Sequence, residues 1–286
     1  MDSFSKSFQS IEVSTPILRV SNISKSYPLS QQTSEETAHF VFEGLSVDIS
    51  EGEFVTVLGP SGCGKSTFLN VIAGLEKPDS GQILVRGEER HGTDPHRLVI
   101  FQEGALYPWL TVRQNIEFGL KVAGIDHQRR KNTVDSLIET VNLSQFADSY
   151  VHQLSGGMKQ RAAIARALAL NPDILLMDEP FAALDMNTRR MLYAELLRIH
   201  ETTRKTIVFV THDINEAVLL GTRVLVFSSH PSSKGIREDV KVDLPQPRDP
   251  NSKEVLQVKS QILRSLEHDF QIARERMKLA TRGGLQ

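Results

Sequence analysis

Cysteine is almost absent: Cys63 is the only one in 286 residues. An internal disulfide framework is therefore excluded, which fits a reducing compartment. No apolar run approaches the ~20 residues of a membrane span, so if the protein moves a solute across a membrane, other chains must form the path. The first residues, Met1-Asp2-Ser3-Phe4-Ser5-Lys6, carry no apolar stretch of signal-peptide length. Neither sign of charge is in excess: 33 Lys and Arg against 35 Asp and Glu leave a formal net charge of −2, which gives no reason to expect nucleic acid as a partner. Tryptophan occurs once, as Trp109. What remains, 40% apolar and 24% charged, is the composition of a globular protein of one large or two modest domains. No internal repeat is visible.

The most informative segment present is Gly59-Pro60-Ser61-Gly62-Cys63-Gly64-Lys65-Ser66-Thr67. It follows the apolar run Phe54–Leu58 and precedes the helix-prone Phe68–Ala73, giving strand, glycine loop and helix with G-x-x-x-x-G-K-S spacing. Glycines let backbone N–H groups turn inward around phosphates, and the helix N-terminus adds the positive end of its dipole. Lys65 is expected to reach the β- and γ-phosphates, and the Ser66 hydroxyl to ligate Mg²⁺. Residues 59–67 thus predict a nucleoside triphosphate site.

Two further segments restrict its use. Leu154-Ser155-Gly156-Gly157-Met158-Lys159-Gln160-Arg161 opens a helical run predicted over 160–170 and stopped by Asn171-Pro172. Ile174-Leu175-Leu176-Met177-Asp178-Glu179 is an apolar strand ending in two carboxylates. Neighbouring strand residues point to opposite faces, so one carboxylate can hold Mg²⁺ while the other polarises the attacking water. Ser155, Gly156 and Gly157 place a hydroxyl and permissive backbone at a helix N-terminus, an anion site or an ordinary cap.

In this order, after a phosphate loop, these segments closely resemble the signature and Walker B motifs of the ATP-binding cassette family. The resemblance spans about residues 18–244. It implies a P-loop NTPase α/β fold: a parallel sheet core, an N-terminal antiparallel β subdomain and an inserted α-helical lobe. It also implies ATP and Mg²⁺ as cofactors and a head-to-tail dimer, with a second copy or a paralogue, in which the signature serves the partner's ATP. Glu179 takes the role of catalytic base and Asp178 that of a metal-side carboxylate. Tyr27 resembles the aromatic residue that stacks on adenine. Gln102 resembles the glutamine at Mg²⁺ and the attacking water, and His212 the histidine that contacts the γ-phosphate. Ala183-Leu184-Asp185 resembles the loop that crosses the dimer interface, with alanine where serine or glycine is common.

Punctuation gives the organisation. Residues 1–15 read as a loose N-terminus and 16–245 as the nucleotide-binding domain, with a helical lobe over about 103–158 and a helical tail over 246–286. Short strands at 17–20, 39–42 and 46–49 suggest the antiparallel sheet, with a hairpin loop over 30–36. Strands at 82–85, 98–101, 173–177, 206–210 and 223–227 alternate with helices, including 187–203 and 213–220, as in a parallel sheet covered on both faces. In the tail, Leu256, Leu263, Phe270 and Met277 recur every seven residues. That stripe predicts either a docking helix or a helix packed on its own domain, with Lys259 interrupting it.

Tyr107-Pro108-Trp109-Leu110 directly follows the Gln102 segment and exposes aromatic residues in a loop. The alternative is that Trp109 packs beneath the lobe. The family resemblance implies that this loop and lobe receive the coupling helix of an integral-membrane permease. Three segments, 105–112, 216–220 and 242–250, resemble the nitrate, sulfonate and taurine importer subfamily, which includes bicarbonate and cyanate importers; Gln246 stands where a basic residue is common. The implied protein is a peripheral ATPase on the cytoplasmic face of the cell membrane, acting indirectly with an extracytoplasmic solute-binding protein. The alternative is a cassette ATPase acting on a nucleic-acid or protein assembly.

Overall fold

The computed structural model describes residues 15–28, 38–101, 105–182, 184–228 and 235–267. Two sheets divide the strands. The smaller is antiparallel, in the order β2 (Ala38–Ile49), β1 (Leu18–Pro28), β4 (Ser80–Val85), β5 (Glu88–Glu89). Segments 39–42 and 46–49, expected as separate strands, are one strand. Gly44, at φ +64°, sits between them where the pairing with β1 shifts register, so a bulge interrupts the alternation without ending the strand. The hairpin loop expected over 30–36 lies outside the described residues.

The larger sheet has the order β10 (Gly235–Lys241), β9 (Arg223–Ser228), β3 (Phe54–Leu58), β8 (Thr206–Thr211), β7 (Ile174–Asp178), β6 (Arg97–Ile100). Its pairings are parallel except β10 with β9, an edge strand that sequence reading missed. β3 is buried throughout, as a central strand covered on both faces must be. One face of the sheet carries α1 (Lys65–Ala73), whose Phe68 and Leu69 pack with Val55, Val57 and Val210. Leu175, Met177 and Phe209 face the other side, with Leu192, Leu196 and Ile199 of α5 (Met186–Thr203) and Ala162–Ala165 of α4 (Gly156–Ala169).

α2 (Val112–Val122) and α3 (His127–Thr140) form the lobe with α4, around Val112, Ile116, Leu120, Val134 and Ile138. α4 begins at Gly156, a turn before the predicted start, so the signature glycines lie in its first turn. A third cluster joins α6 (Ile214–Leu220) to α7 (helical over 253–267): Ala217 and Val218 meet Val255 and Ile262. The heptad stripe is not the buried face of α7. Leu256 and Leu263 are exposed, whereas Val255, Lys259 and Ile262 are buried. Phe270, Met277 and the rest of 268–286 lie outside the described residues, as does most of 1–15.

Candidate functional site

The C-terminal ends of β3, β7 and β8 lie side by side, and five predicted residues meet there. Gly64 enters α1 at φ +95°, and a Cβ on it would lie 2.3 Å from Val41 Cγ1. No side chain caps this helix, so its first turn is open to an anion. Lys65, only 4% exposed, lies back along the loop and donates from Nζ to the carbonyls of Gly59 (2.8 Å) and Pro60 (2.9 Å). Gly59 itself is closed in: a Cβ there would come within 2.7 Å of Phe227 O. Cys63 is buried, and Ser61 and Gly62 face solvent.

Ser66 Oγ donates to Asp178 Oδ1 at 3.1 Å. Burial, and then the neighbouring Glu179 charge, push the Asp178 carboxyl above the usual range, opposed by the Ser66 hydrogen bond. Glu179 follows β7 at φ +43°, a region that non-glycine residues rarely occupy. Its N–H donates to Val210 O at 3.0 Å, so β8 holds the turn in place. Glu179 Oε2 then lies 2.9 Å from Nδ1 of His212, which directly follows β8. A hydroxyl and a carboxylate for a hard cation, an ammonium for phosphate, and a carboxylate beside an imidazole are thus gathered within one cleft.

Tyr27 stands at the end of β1 with its ring 41% exposed. Its hydroxyl donates to Glu76 Oε1 at 2.6 Å and lies within hydrogen-bonding reach of Thr67, at the start of α1. Lys25 Nζ sits 5.4 Å from the ring centroid. Burial and the Glu76 hydrogen bond raise the phenol pKa.

The signature residues sit elsewhere. Ser155 caps α4, accepting from Met158 N at 3.3 Å. A Cβ on Gly156 would lie 2.8 Å from Leu184 Cδ2, and one on Gly157 2.8 Å from Thr188 Cγ2. Asp185 caps α5, accepting from the N–H groups of Asn187 and Thr188 at 3.0 Å and the Thr188 hydroxyl at 2.6 Å. These bonds hold its carboxyl below the usual range. The signature and the Asp185 loop are therefore one surface, packed on α5 and not on the chain's own phosphate loop. Gln102 and Ala183 lie outside the described residues.

Sequence reading missed a polar network behind His212. Buried Glu216 accepts from the hydroxyls of Thr211 and, at 2.9 Å, Tyr193. Burial raises the pKa of Glu216, and burial with the adjoining carboxylate pushes the Tyr193 phenol up. Arg189 lies 4.0 Å from Glu216 and 3.7 Å from Asp213, and donates to Leu184 O at 2.9 Å. The Asp185 loop is thereby tied to the strand end that carries His212. The sequence signal for it is a carboxylate, Glu216, leading into the apolar run Ala217–Leu220.

On the far side of β6, Trp109 is 70% exposed, so it does not pack beneath the lobe. Buried Asn115 shapes its loop, accepting from Tyr107 N at 2.8 Å and donating to the carbonyls of Tyr107, Leu110 and Thr111. Tyr107 lies between Trp109 and Phe118 with its ring tilted against both, centroids 5.7 and 4.7 Å away. An apolar groove of about 440 Å³ opens here, lined by Leu98, Tyr107, Phe118, Val122 and Leu170.

Comparison with known proteins agrees with this arrangement. The family model described as ABC transporter matches residues 42–182. An uncharacterized ABC transporter ATP-binding protein of Methanocaldococcus jannaschii is 48% identical over 227 residues, 79% of this chain and 84% of that protein. The taurine import ATP-binding protein TauB of Roseobacter denitrificans is 44% identical over 189 residues, 66% of this chain and 70% of its own. A bicarbonate transport ATP-binding protein, CmpC of Synechococcus elongatus, is 46% identical over 233 residues; these are 80% of this chain but 34% of that longer protein. Among solved structures, the dimeric ATP-binding cassette MJ0796, in a post-hydrolysis state bound to ADP and Pi, superposes with a TM-score of 0.66 at 32% identity, covering 80% of this chain and 100% of that one. With the phosphate loop, the carboxylate pair and the signature helix on one α/β framework that matches these proteins along most of its length, the chain belongs to the ATP-binding cassette family and is an ATP hydrolase.

Proposed function

We propose that this protein is the motor subunit of a membrane importer for a small solute such as nitrate, a sulfonate, taurine or bicarbonate. The observation that carries the reading is the apolar groove lined by Tyr107 and Phe118, with Trp109 exposed against Tyr107 on the loop next to it. Among the described residues no helix is long and apolar enough to cross a membrane. The groove is the place for a short helix of a permease subunit, and the protein works on the cytoplasmic face of the cell membrane. The name of CmpC favours an anion and that of TauB a sulfonate-bearing zwitterion; in this reading an extracytoplasmic binding protein delivers the solute.

In the catalytic reading, residues 59–67 wrap the phosphates of ATP and the Tyr27 ring stacks on the adenine. The Lys65 ammonium turns from the loop carbonyls to the β- and γ-phosphates. Ser66, Asp178 and Gln102 hold Mg²⁺, which neutralises phosphate charge when bound. The fit rests on the oxygen donors of Ser66 and Asp178, 3.1 Å apart, a hard-cation set that leaves water and phosphate oxygens to complete the shell. Glu179 takes the proton of the attacking water as its oxygen bonds in line to the γ-phosphorus and the bond to the β–γ bridging oxygen breaks, releasing ADP and phosphate, while His212 bonds the γ-phosphate oxygens. Ser155, Gly156, Gly157 and Asp185 serve the ATP of a second copy, where their N–H groups stabilise charge at the γ-phosphate.

Trp109→Ala tests the partner. Nucleotide affinity and melting temperature of the isolated chain should stay near the parent's, while copurification with the permease falls by about 2 kcal/mol or more, as for a central aromatic anchor. Unchanged assembly would remove Trp109 and its loop from the interface. The solute is identified by which loaded binding protein stimulates ATP turnover in the assembled transporter.

A further inference from the structure

Arg248 and Gln246 stand in Leu244-Pro245-Gln246-Pro247-Arg248, beyond the last sheet strand and far along the chain from any motif of the ATP site. Both reach back to the C-terminal end of α6. Arg248 donates to Val218 O at 2.7 Å and Gly221 O at 2.6 Å, and Gln246 Nε2 donates to Leu219 O at 2.9 Å and Leu220 O at 3.3 Å. The Ala217 carbonyl already accepts from Gly221 N–H. The four carbonyls that the helix end leaves without an intrahelical partner are thus all taken by two side chains. The remaining Arg248 donors go to Val242 O at 3.1 Å and Leu244 O at 3.0 and 3.2 Å. All five guanidinium N–H groups are used on backbone. Among the described residues no carboxylate pairs with Arg248, and burial alone lowers its pKa, to about 10.

A cation buried without a counter-ion is costly unless its surroundings supply negative potential. The C-terminal end of a helix supplies it. α6 is a strut of only seven residues, about 10 Å long at the α-helical rise. Its other end begins at Asp213, which caps it at Asn215 N (2.7 Å) and directly follows His212. Between the two ends Ala217 and Val218 are fully buried against Leu58, the residue that leads into the phosphate loop. Rotation or sliding of so short a helix would carry His212 away from Glu179, now 2.9 Å apart.

We propose that Gln246 and Arg248 are positioning residues for ATP hydrolysis, clamping the C-terminal end of α6 so that His212 stays aligned with Glu179. The inference rests on the reading of His212 as the γ-phosphate contact. It gives the segment after the sheet a part in catalysis, through the helix and without touching nucleotide.

The test is a double-mutant cycle in the full-length chain, following single-turnover hydrolysis and nucleotide affinity. Arg248→Met keeps the length of the side chain and removes every donor. It should slow hydrolysis by about tenfold or more, within the range for residues that orient the groups touching a reacting centre, and leave ATP affinity within about threefold. Gln246→Met, at an exposed site, should show the same pattern more weakly, and Arg248→Lys should recover only part of the rate. In a His212→Ala background, Arg248→Met should cost less than about twofold more, because the group it aligns is gone. An equal fractional loss in both backgrounds would mark Arg248 as a structural residue only and overturn the proposal. Wild-type rates in both Arg248→Met and Gln246→Met, with His212→Ala slow, would overturn the clamp alone. A wild-type rate in His212→Ala would instead overturn the reading of the site, and the clamp with it.

Discussion

Two helix N-termini with glycines at their start differ in what surrounds them. α1 opens without a side-chain cap, and an ammonium, a hydroxyl, two carboxylates and an imidazole are gathered around it: Lys65, Ser66, Asp178, Glu179 and His212. α4 is capped by its own Ser155 and backed by Leu184 and Thr188. The carboxylate beside it among the described residues, Asp185, is spent on capping α5. In the proposed reading the first end is the reaction centre, and the second, which offers N–H groups and a hydroxyl, complements a phosphate bound by another copy. That reading accounts for one chain carrying two phosphate-type ends without needing two nucleotides.

Breaking the first end should have the largest effect. Glu179→Gln keeps shape and hydrogen bonding but cannot take the proton of water, so turnover should fall by roughly 10²-fold or more. ATP binding should persist, and trapped ATP should hold two copies together, which turnover assays with size analysis would show. Near-wild-type turnover in the assembled transporter would remove Glu179 as the base.

Breaking the second end should be milder and different in kind. Gly157→Val forces a Cβ to 2.8 Å from Thr188 Cγ2, displacing α4 from α5. ATP affinity of the single chain should be unchanged, while turnover drops by ~10–100-fold through a misplacement on the order of 1 Å. Loss of nucleotide binding by the single chain would mean that the signature serves its own loop.

The smallest effect concerns stability. The Asp178 carboxyl is held above its usual range, so its ionised form costs stability when no cation or nucleotide is bound. Asp178→Asn should therefore raise the melting temperature of the nucleotide-free chain at pH 7, by about 2–4 °C for each kcal/mol relieved. The sign follows from the direction of the shift: a raised carboxylate stabilises below its unfolded pKa and loses that contribution as pH rises through the folded value. The gap between variant and parent should accordingly narrow as pH falls and the native Asp178 takes up a proton. A gap that stays constant with pH would mean that Asp178 is not strained by its surroundings.

The first end was legible because its chemistry is local. The phosphate loop is contiguous, and Asp178 and His212 each close an apolar strand, so a parallel sheet brings them together once the strands are placed. Arg189, Tyr193 and Glu216 were not legible, because polar side chains on helices read as solvated faces until the packing of α5 and α6 encloses them, and Arg248, in a loop, is enclosed only by the distant end of α6. The tail shows the opposite failure. Leu256 and Leu263 repeat at seven, as in a docking helix or one packed on its own domain, yet α6 touches the helix one residue earlier, about 100° around its axis, at Val255 and Ile262. Lys259 falls on that buried face and still satisfies its ammonium, donating to Pro250 O at 3.0 Å.

That the two ends belong to different ATP sites can be measured by cross-linking. Cys63 is the only cysteine, so a Cys63→Ala, Glu179→Gln chain carrying Ser61→Cys and Ser155→Cys has one thiol at each end. With ATP present, a short bis-maleimide should join Ser61→Cys of one copy to Ser155→Cys of another, giving a species of twice the 32.0 kDa chain mass that disappears when either cysteine is restored to serine. Cross-linking within a single chain, or none with ATP bound, would contradict the composite site.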